Sequence, residues 1–187
     1  YKREGRRNAY IILEISFINL KSGFINMEEL IWPDQTTAGI TREEIGGKGL
    51  NLLKLYDYAK QSELFTVPNF FIIPSTKGHG ALISFRGVED KSRVTYKKSE
   101  EIRMKEAFDK LQKPVIVRSS SPLEDNVNAS FAGMFNSVKN VKTFDDFLCA
   151  IYEVKDSAYG SFIESYAERL GIEHNYDMGI IVQEQIT

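Results

Sequence analysis

Three glycines surround a single cation at Gly46, Gly47, Lys48 and Gly49. Glycine lets a backbone approach a ligand closely, and the apolar periodicity of Leu50–Ser62 predicts a helix directly after the run. Because the N-terminus of a helix favours anions, this arrangement is suited to holding phosphate. The spacing is not that of a Walker A loop, and a run of this kind taken alone is more often a plain glycine turn.

A second cation, Arg118, follows the apolar run Pro114–Val117, which predicts a buried strand. Arg118 is the first residue of a predicted polar turn, Arg118–Pro122, which contains Ser119–Ser121. A guanidinium can donate two parallel hydrogen bonds to phosphate oxygens, and the serine hydroxyls add donors. The alternative is a structural ion pair between Arg118 and Glu124 or Asp125.

A third candidate is the small-residue segment Ser130–Ser137, which has apolar anchors on both sides of Gly133. It predicts a hairpin that covers a triphosphate, with Gly133 at the closest approach. An ordinary surface hairpin is the alternative.

The elements that must position these residues are of both kinds. Period-two or continuous apolar patterns predict strands, and 3.6-residue patterns predict helices. The predicted strands are Tyr10–Leu20, Phe70–Ile73, Pro114–Val117 and Met178–Ile186. The predicted helices are Leu50–Ser62, Glu100–Leu111 and Phe144–Ala167, the last with a possible break at Gly160, and Thr41 is a candidate helix cap.

Composition limits the class of protein. The chain has 187 residues, 42% of them apolar, and a formal net charge of −2. This balance gives no basic field for nucleic acid, and no stretch approaches the roughly 18 uncharged apolar residues of a membrane span. The single cysteine, Cys149, is predicted to be a buried small hydrophobe, which favours a reducing, cytoplasmic setting.

Four segments, in their order along the chain, resemble the nucleotide-binding domain of phosphoenolpyruvate synthase and pyruvate phosphate dikinase. The segments are Gly46–Leu52, Val117–Ser121 with Glu124 and Asp125, Ser130–Gly133, and Ile180–Gln183. Four motifs at compatible spacing are far more specific than any one of them.

The resemblance implies an α+β, ATP-grasp-like fold, in which this chain is the N-terminal portion and a mixed sheet is flanked by helices. It implies catalytic roles for Lys48 and Arg118 and a glycine hairpin over the nucleotide at Gly133. Ser137 stands where the family usually has threonine, and the resemblance implies that Gln183–Ile186 is an adenine-binding hinge. The implied ATP-binding residues are Lys48, Arg118, Ser119, Gly133, Ser137, Gln183, Glu184 and Ile186.

The resemblance also implies cofactors and partners. Family enzymes pass a phosphoryl group from ATP to a histidine on another domain and then to pyruvate, so the expected partners are ATP and those two domains. Mg²⁺ is the expected second cofactor, with ligands beyond residue 187 and none in this chain. Residues 41–187 are then the first part of the ATP-binding domain, without its second lobe, and residues 1–40 are an extension of unknown role. The chain alone is expected to be incomplete and inactive.

Two departures from the family pattern leave alternatives open. Ser121–Leu123 stands where Ala-Thr-Ala is usual, and Phe135 with Asn136 stands where Gln-Asp is common. A related dikinase with another acceptor, such as a glucan or an antibiotic, is one alternative. A module that senses nucleotide without transferring phosphate and a fragment without ligand affinity are the others.

Overall fold

The computed structural model describes residues 30–35, 38–75, 98–122, 133–159 and 178–186, together with the helical residues 163, 165, 168 and 169. The predicted strand over Tyr10–Leu20, the carboxylates Glu124 and Asp125, and the hairpin residues Ser130–Ala132 lie outside these ranges. Within the described residues, no helix is long and apolar enough to cross a bilayer.

Within the described ranges, four strands form one sheet. They are β1 (Phe70–Ile73), β2 (Val115–Ser120), β3 (Ser137–Val141) and β4 (Gly179–Glu184), and their spatial order is β1-β4-β2-β3. Every neighbouring pair is antiparallel, so the prediction of a mixed sheet is wrong for the described strands. The α+β class is confirmed. Strand β3 was not predicted, because a short, largely exposed edge strand containing Lys139 and Asn140 carries little apolar signal.

Among the described residues, three α-helices cover the two faces of the sheet: α1 (Arg42–Ser62), α2 (Lys98–Lys110) and α3 (Phe144–Asp156). In β1, Phe70 and Ile72 pack in a cluster with residues of α1, whereas Phe71 and Ile73 pack in the cluster that contains α2 and α3. All four side chains are buried, and full burial of each contributes roughly 1.5–3 kcal/mol. Because both faces are covered, this antiparallel strand is a continuous apolar run in the sequence, as predicted.

Part of the predicted N-terminal extension packs on this fold. Ile31 forms a bridge with Ile72 in which each amide donates to the other's carbonyl at 2.9 Å. Trp32 lies on Phe71, with 5.2 Å between ring centroids. The described residues 30–35 therefore pack along the β1 side of the sheet.

Helix α3 differs from its prediction in two respects. It ends at Asp156 and passes into a 3-10 turn, Ser157–Tyr159, just before the predicted break at Gly160. Cys149 is exposed, so the prediction of a buried cysteine is wrong. The buried stripe of α3 includes Phe147 and Ile151, and at 100° per residue Cys149 lies on the opposite side of the helix from Phe147.

Candidate functional site

The glycine run lies inside helix α1. The helix begins at Arg42, after Thr41, whose backbone amide donates to the Glu44 carboxylate at 2.7 Å. The predicted cap at Thr41 is confirmed. Gly46, with φ 72° and ψ 170°, interrupts the helical conformation, so α1 is a single turn followed by a kink and a longer helix. The sequence predicted only that longer part.

The kink lies against the ends of two strands. A Cβ atom on Gly46 would lie 1.9 Å from the carbonyl oxygen of Ser120, and one on Gly179 would lie 2.8 Å from the carbonyl oxygen of Ile45. Both positions therefore require glycine for direct contact between backbones. The sequence predicted that the glycines approach a ligand, whereas Gly46 approaches strand β2 of its own chain.

Ser120, the last residue of β2, and Ser121, which follows it, bind the start of the longer helix. The Gly49 amide donates to Ser120 Oγ at 2.8 Å, and Ser120 Oγ donates to the Ile45 carbonyl at 2.5 Å. The Gly47 amide donates to the Ser121 carbonyl at 3.3 Å. Amides of the first helical turn have no partner within the helix, so β2 supplies the cap. Half-buried Lys48 lies between the two capped glycines.

Ser119 and Ser120 provide a matched pair for testing this cap. Both are fully buried, but Ser119 Oγ has no hydrogen-bond partner within the described part of the chain. We expect Ser120→Ala to lower the free energy of unfolding by about 2–4 kcal/mol, because it leaves a buried amide and a buried carbonyl unpaired. Ser119→Ala is expected to change it by under about 1 kcal/mol, because no bond is lost. Urea unfolding of the two variants checks this, and equal losses would contradict the assignment of the cap to Ser120.

Arg118 and Ser137 are brought together directly. Strand β2 continues through Ser120, so the prediction that Arg118 begins a polar turn is wrong. Arg118 pairs with Ile181 of β4 on one side and with Ser137 of β3 on the other. Because Ile181 packs in the α1 cluster, and directly paired residues share a face, Arg118 and Ser137 both lie on the α1 side of the sheet.

Arg118 is half-buried as a residue, and within the described part of the chain no carboxylate lies at ion-pair distance from its guanidinium. Glu124 and Asp125, the alternative partners, are outside that part. A partly buried cation gains from an anionic partner. Arg118 lies two residues before Ser120, or about 7 Å along the strand, so it is close to the helix start that contains Lys48.

Two other predicted residues lie apart from Arg118. Ser119 faces the α2 and α3 side, since it pairs with Ile180 of that cluster, and its buried hydroxyl does not reach the Arg118 face. Gly133 is exposed with φ 77°, and an added Cβ would meet nothing within 4 Å. Its glycine is therefore explained by a turn conformation, as the hairpin hypothesis requires.

The predicted hinge lies at the other end of β4. Gln183 faces the α1 side and donates from Nε2 to the Pro68 carbonyl at 3.3 Å. Glu184 Oε1 accepts from the Gln112 amide at 2.8 Å and from Asn69 Nδ2 at 3.2 Å. Ile186 is 80% exposed. The two polar side chains are thus bound within the fold, and the backbone amides of Glu184 and Gln185 also donate within it, to the carbonyls of Asn69 and Pro114.

The site therefore has two ends on one sheet. Arg118 and Ser137 lie beside the helix start at one end, and residues 184–186 lie about 10–16 Å further along β4. Ser120 and Gly179, which hold the helix start in place, were not among the predicted site residues. A glycine at the head of an apolar strand was the available signal, because such a glycine often marks a close approach of another backbone.

Comparison with known proteins identifies the family. The family described as "Pyruvate phosphate dikinase, AMP/ATP-binding domain" matches residues 93–187, just over half of the chain. The chain belongs to this family. The match contains α2, α3 and strands β2 to β4 of the AMP/ATP-binding domain, and hence Arg118, Ser137 and the hinge, while Lys48 lies before it.

One curated protein is also similar to this chain in sequence. An uncharacterized phosphotransferase, YvkC, of Bacillus subtilis (strain 168) is 31% identical over 150 residues, which cover 74% of this chain and 17% of the relative. The chain thus spans about a sixth of the length of that protein. Among the described residues, no group of three or more His, Cys, Asp or Glu side chains is placed to hold a metal ion. The predicted Mg²⁺ ligands beyond residue 187 stay a prediction.

Proposed function

We propose that this chain binds ATP as part of a phosphotransferase, with the triphosphate at Arg118 and Ser137 and the adenine at residues 184–186. The observation that carries the proposal is the half-buried Arg118, which has no ion-pair partner among the described residues and lies beside the hydroxyl of Ser137. A guanidinium in this position gains most from an anion with several oxygens. Membership of an AMP/ATP-binding family supports a nucleotide as that anion.

The proposed roles follow from position. Arg118 binds phosphate oxygens through two parallel N–H groups, Ser137 donates its hydroxyl, and Lys48 supplies a second positive charge from the helix start. Gly133 lets the turn before β3 close over the nucleotide. Phosphoryl transfer depends mainly on positioning and charge neutralisation, which these residues can provide. Mg²⁺, bound by residues outside this chain, would add charge neutralisation at the phosphates.

The acceptor is proposed from the family. The phosphoryl group passes from ATP to a histidine on another domain and then to pyruvate, and another acceptor in a related dikinase is the alternative. Acidic side chains from a second lobe would complete the site. The name of the similar Bacillus subtilis protein supports phosphoryl transfer as the reaction class.

A second candidate is a module that senses nucleotide without transferring phosphate. One observation favours it, because the amides of Gly47 and Gly49 donate to Ser121 and Ser120 and so are not available to phosphate oxygens. The test supplies the intact protein with ATP and with each candidate acceptor. Nucleotide binding without consumption of ATP would support sensing over transfer.

Substitution of Lys48 tests the proposed binding of ATP. We expect Lys48→Gln to weaken ATP binding about 10-fold, because a charge-assisted hydrogen bond to phosphate is lost. The control is Lys54→Gln, at an exposed position of the same helix, which should leave the Kd unchanged. Isothermal titration calorimetry on the intact protein measures both. An intact protein that binds no ATP would contradict the proposed function, and an unchanged Kd for Lys48→Gln would remove Lys48 from the site.

A further inference from the structure

The segment that follows β4 is bound at Gln185 by two different parts of the fold. The backbone amide of Gln185 donates to the Pro114 carbonyl at 2.9 Å. Its side-chain amide pairs with Asn140, whose backbone amide donates to Gln185 Oε1 at 2.8 Å and whose Oδ1 accepts from Gln185 Nε2 at 3.0 Å. Strand pairing has ended at Glu184, and Ile186 is 80% exposed. These contacts therefore fix a stretch of backbone that the sheet itself no longer holds.

A bulge in β3 presents Asn140 to this segment. Val117 pairs with Val138, whereas Val115 pairs with Val141, so β3 contains one extra residue opposite β2. Asn140 has φ 60°, a left-handed conformation that asparagine adopts more readily than most residues. Bulges redirect a side chain away from the regular ladder. Here the backbone amide and the side chain of Asn140 both meet Gln185.

We propose that Asn140 is a positioning residue for base recognition, which holds the backbone of residues 184–186 in place through its amide pair with Gln185. The inference rests on the proposed function, in which this backbone contacts the adenine. A base is recognised by backbone groups held in a fixed orientation, and a segment that is ordered before binding loses less entropy when the ligand arrives. Asn140 lies on β3 three residues after Ser137, and its hydrogen bonds with Gln185 are at the base end of the proposed site, where we expect its effect.

Two substitutions separate this role from a general effect on stability. Asn140→Gly keeps the left-handed backbone and the amide donor but removes Oδ1. Asn140→Asp tolerates the same backbone and keeps an acceptor for Gln185 Nε2. The probes are ATP and inorganic tripolyphosphate, which has the phosphates without the base, titrated into the intact protein. We expect Asn140→Gly to weaken ATP binding about 5- to 10-fold, to leave tripolyphosphate binding unchanged, and Asn140→Asp to bind ATP as the wild type does.

The outcomes distinguish the inference from the function beneath it. Wild-type protein that binds no ATP overturns both. If the wild type binds ATP and Asn140→Gly binds it equally well, the inference alone is overturned. Equal weakening of ATP and tripolyphosphate by Asn140→Gly also overturns it, since a general disturbance of the domain would act on both ligands. An Asn140→Asp variant as weak as Asn140→Gly overturns the role of the Oδ1 acceptor.

Discussion

Gly46→Ala is expected to lower the free energy of unfolding of this domain by roughly 4 kcal/mol or more, the largest stability loss of any substitution considered. The conformation at Gly46, with φ 72° and ψ 170°, lies in a region occupied almost entirely by glycine and costs other residues about 1–3 kcal/mol. The new Cβ would lie 1.9 Å from the Ser120 carbonyl oxygen. That atom belongs to the central strand β2, so it cannot move aside as a side chain could, and overpacking adds about 1–3 kcal/mol or more.

Gly39→Ala is the matched control. Gly39 also has a positive φ, 90°, but an added Cβ there would meet nothing within 4 Å. The control therefore includes the cost of placing alanine at a positive φ. The difference in free energy of unfolding between the two variants then measures the collision with Ser120. A typical domain is stable by only 5–15 kcal/mol. We therefore expect local unfolding of α1 and β2 in Gly46→Ala and none in Gly39→Ala.

Hydrogen exchange of the α1 and β2 amides in the intact protein measures this prediction locally. We expect loss of protection in both elements for Gly46→Ala. Protection equal to that of Gly39→Ala would show that the helix start can move away from β2, and the contact at Gly46 would then not fix the position of Lys48.

The buried strands were the most predictable part of the fold. Phe70–Ile73 and residues 115–117 are continuous apolar runs because each is covered on both faces, and a run of this kind has few other interpretations. The helices were predictable from their apolar spacing, and Thr41 from its capping chemistry. Strand β3 was not, because its pairing with β2 is a non-local property of a short polar segment.

The candidate site was predictable as a set of residue types but not as an arrangement. Arg118 and Ser137 are 19 positions apart, and only the register of β2 against β3 makes them neighbours. Ser119 and Arg118 are adjacent in sequence, yet the alternation of a strand places them on opposite faces. A turn at Arg118 would have allowed both side chains to reach one ligand, so the error in one element changed the predicted role of Ser119.

The glycine run shows why the same residues support two interpretations. Glycine permits close approach without specifying what approaches, and the sequence has no means of distinguishing a phosphate from a strand. The short distances at Gly46 and Gly49 are to Ser120. The glycine run therefore fixes helix α1 on the sheet. Phosphate binding, which the sequence predicted for the run, is proposed instead for the Lys48 side chain.

Arg118→Ala is expected to slow phosphoryl transfer by the intact protein by about 10²-fold or more, while ATP binding falls less. A preorganised donor aimed at developing charge contributes about 3–4 kcal/mol to the transition state. Arg118 is suited to this role because β2, the central strand between β4 and β3, holds its backbone and because no described carboxylate neutralises its charge. A group that binds ground state and transition state equally would change the Kd alone.

Arg118→Lys and Arg103→Ala complete the test. Lysine keeps the charge but not the planar pair of donors, so its rate should lie between those of the wild type and of Arg118→Ala. Arg103 is exposed on α2, and its loss should leave the rate unchanged. Single-turnover measurement of ATP consumption, with ATP above its Kd for each variant, separates the transfer step from binding. Transfer at the wild-type rate in Arg118→Ala would refute the role of Arg118, and a rate for Arg118→Lys equal to the wild type would show that charge alone is sufficient.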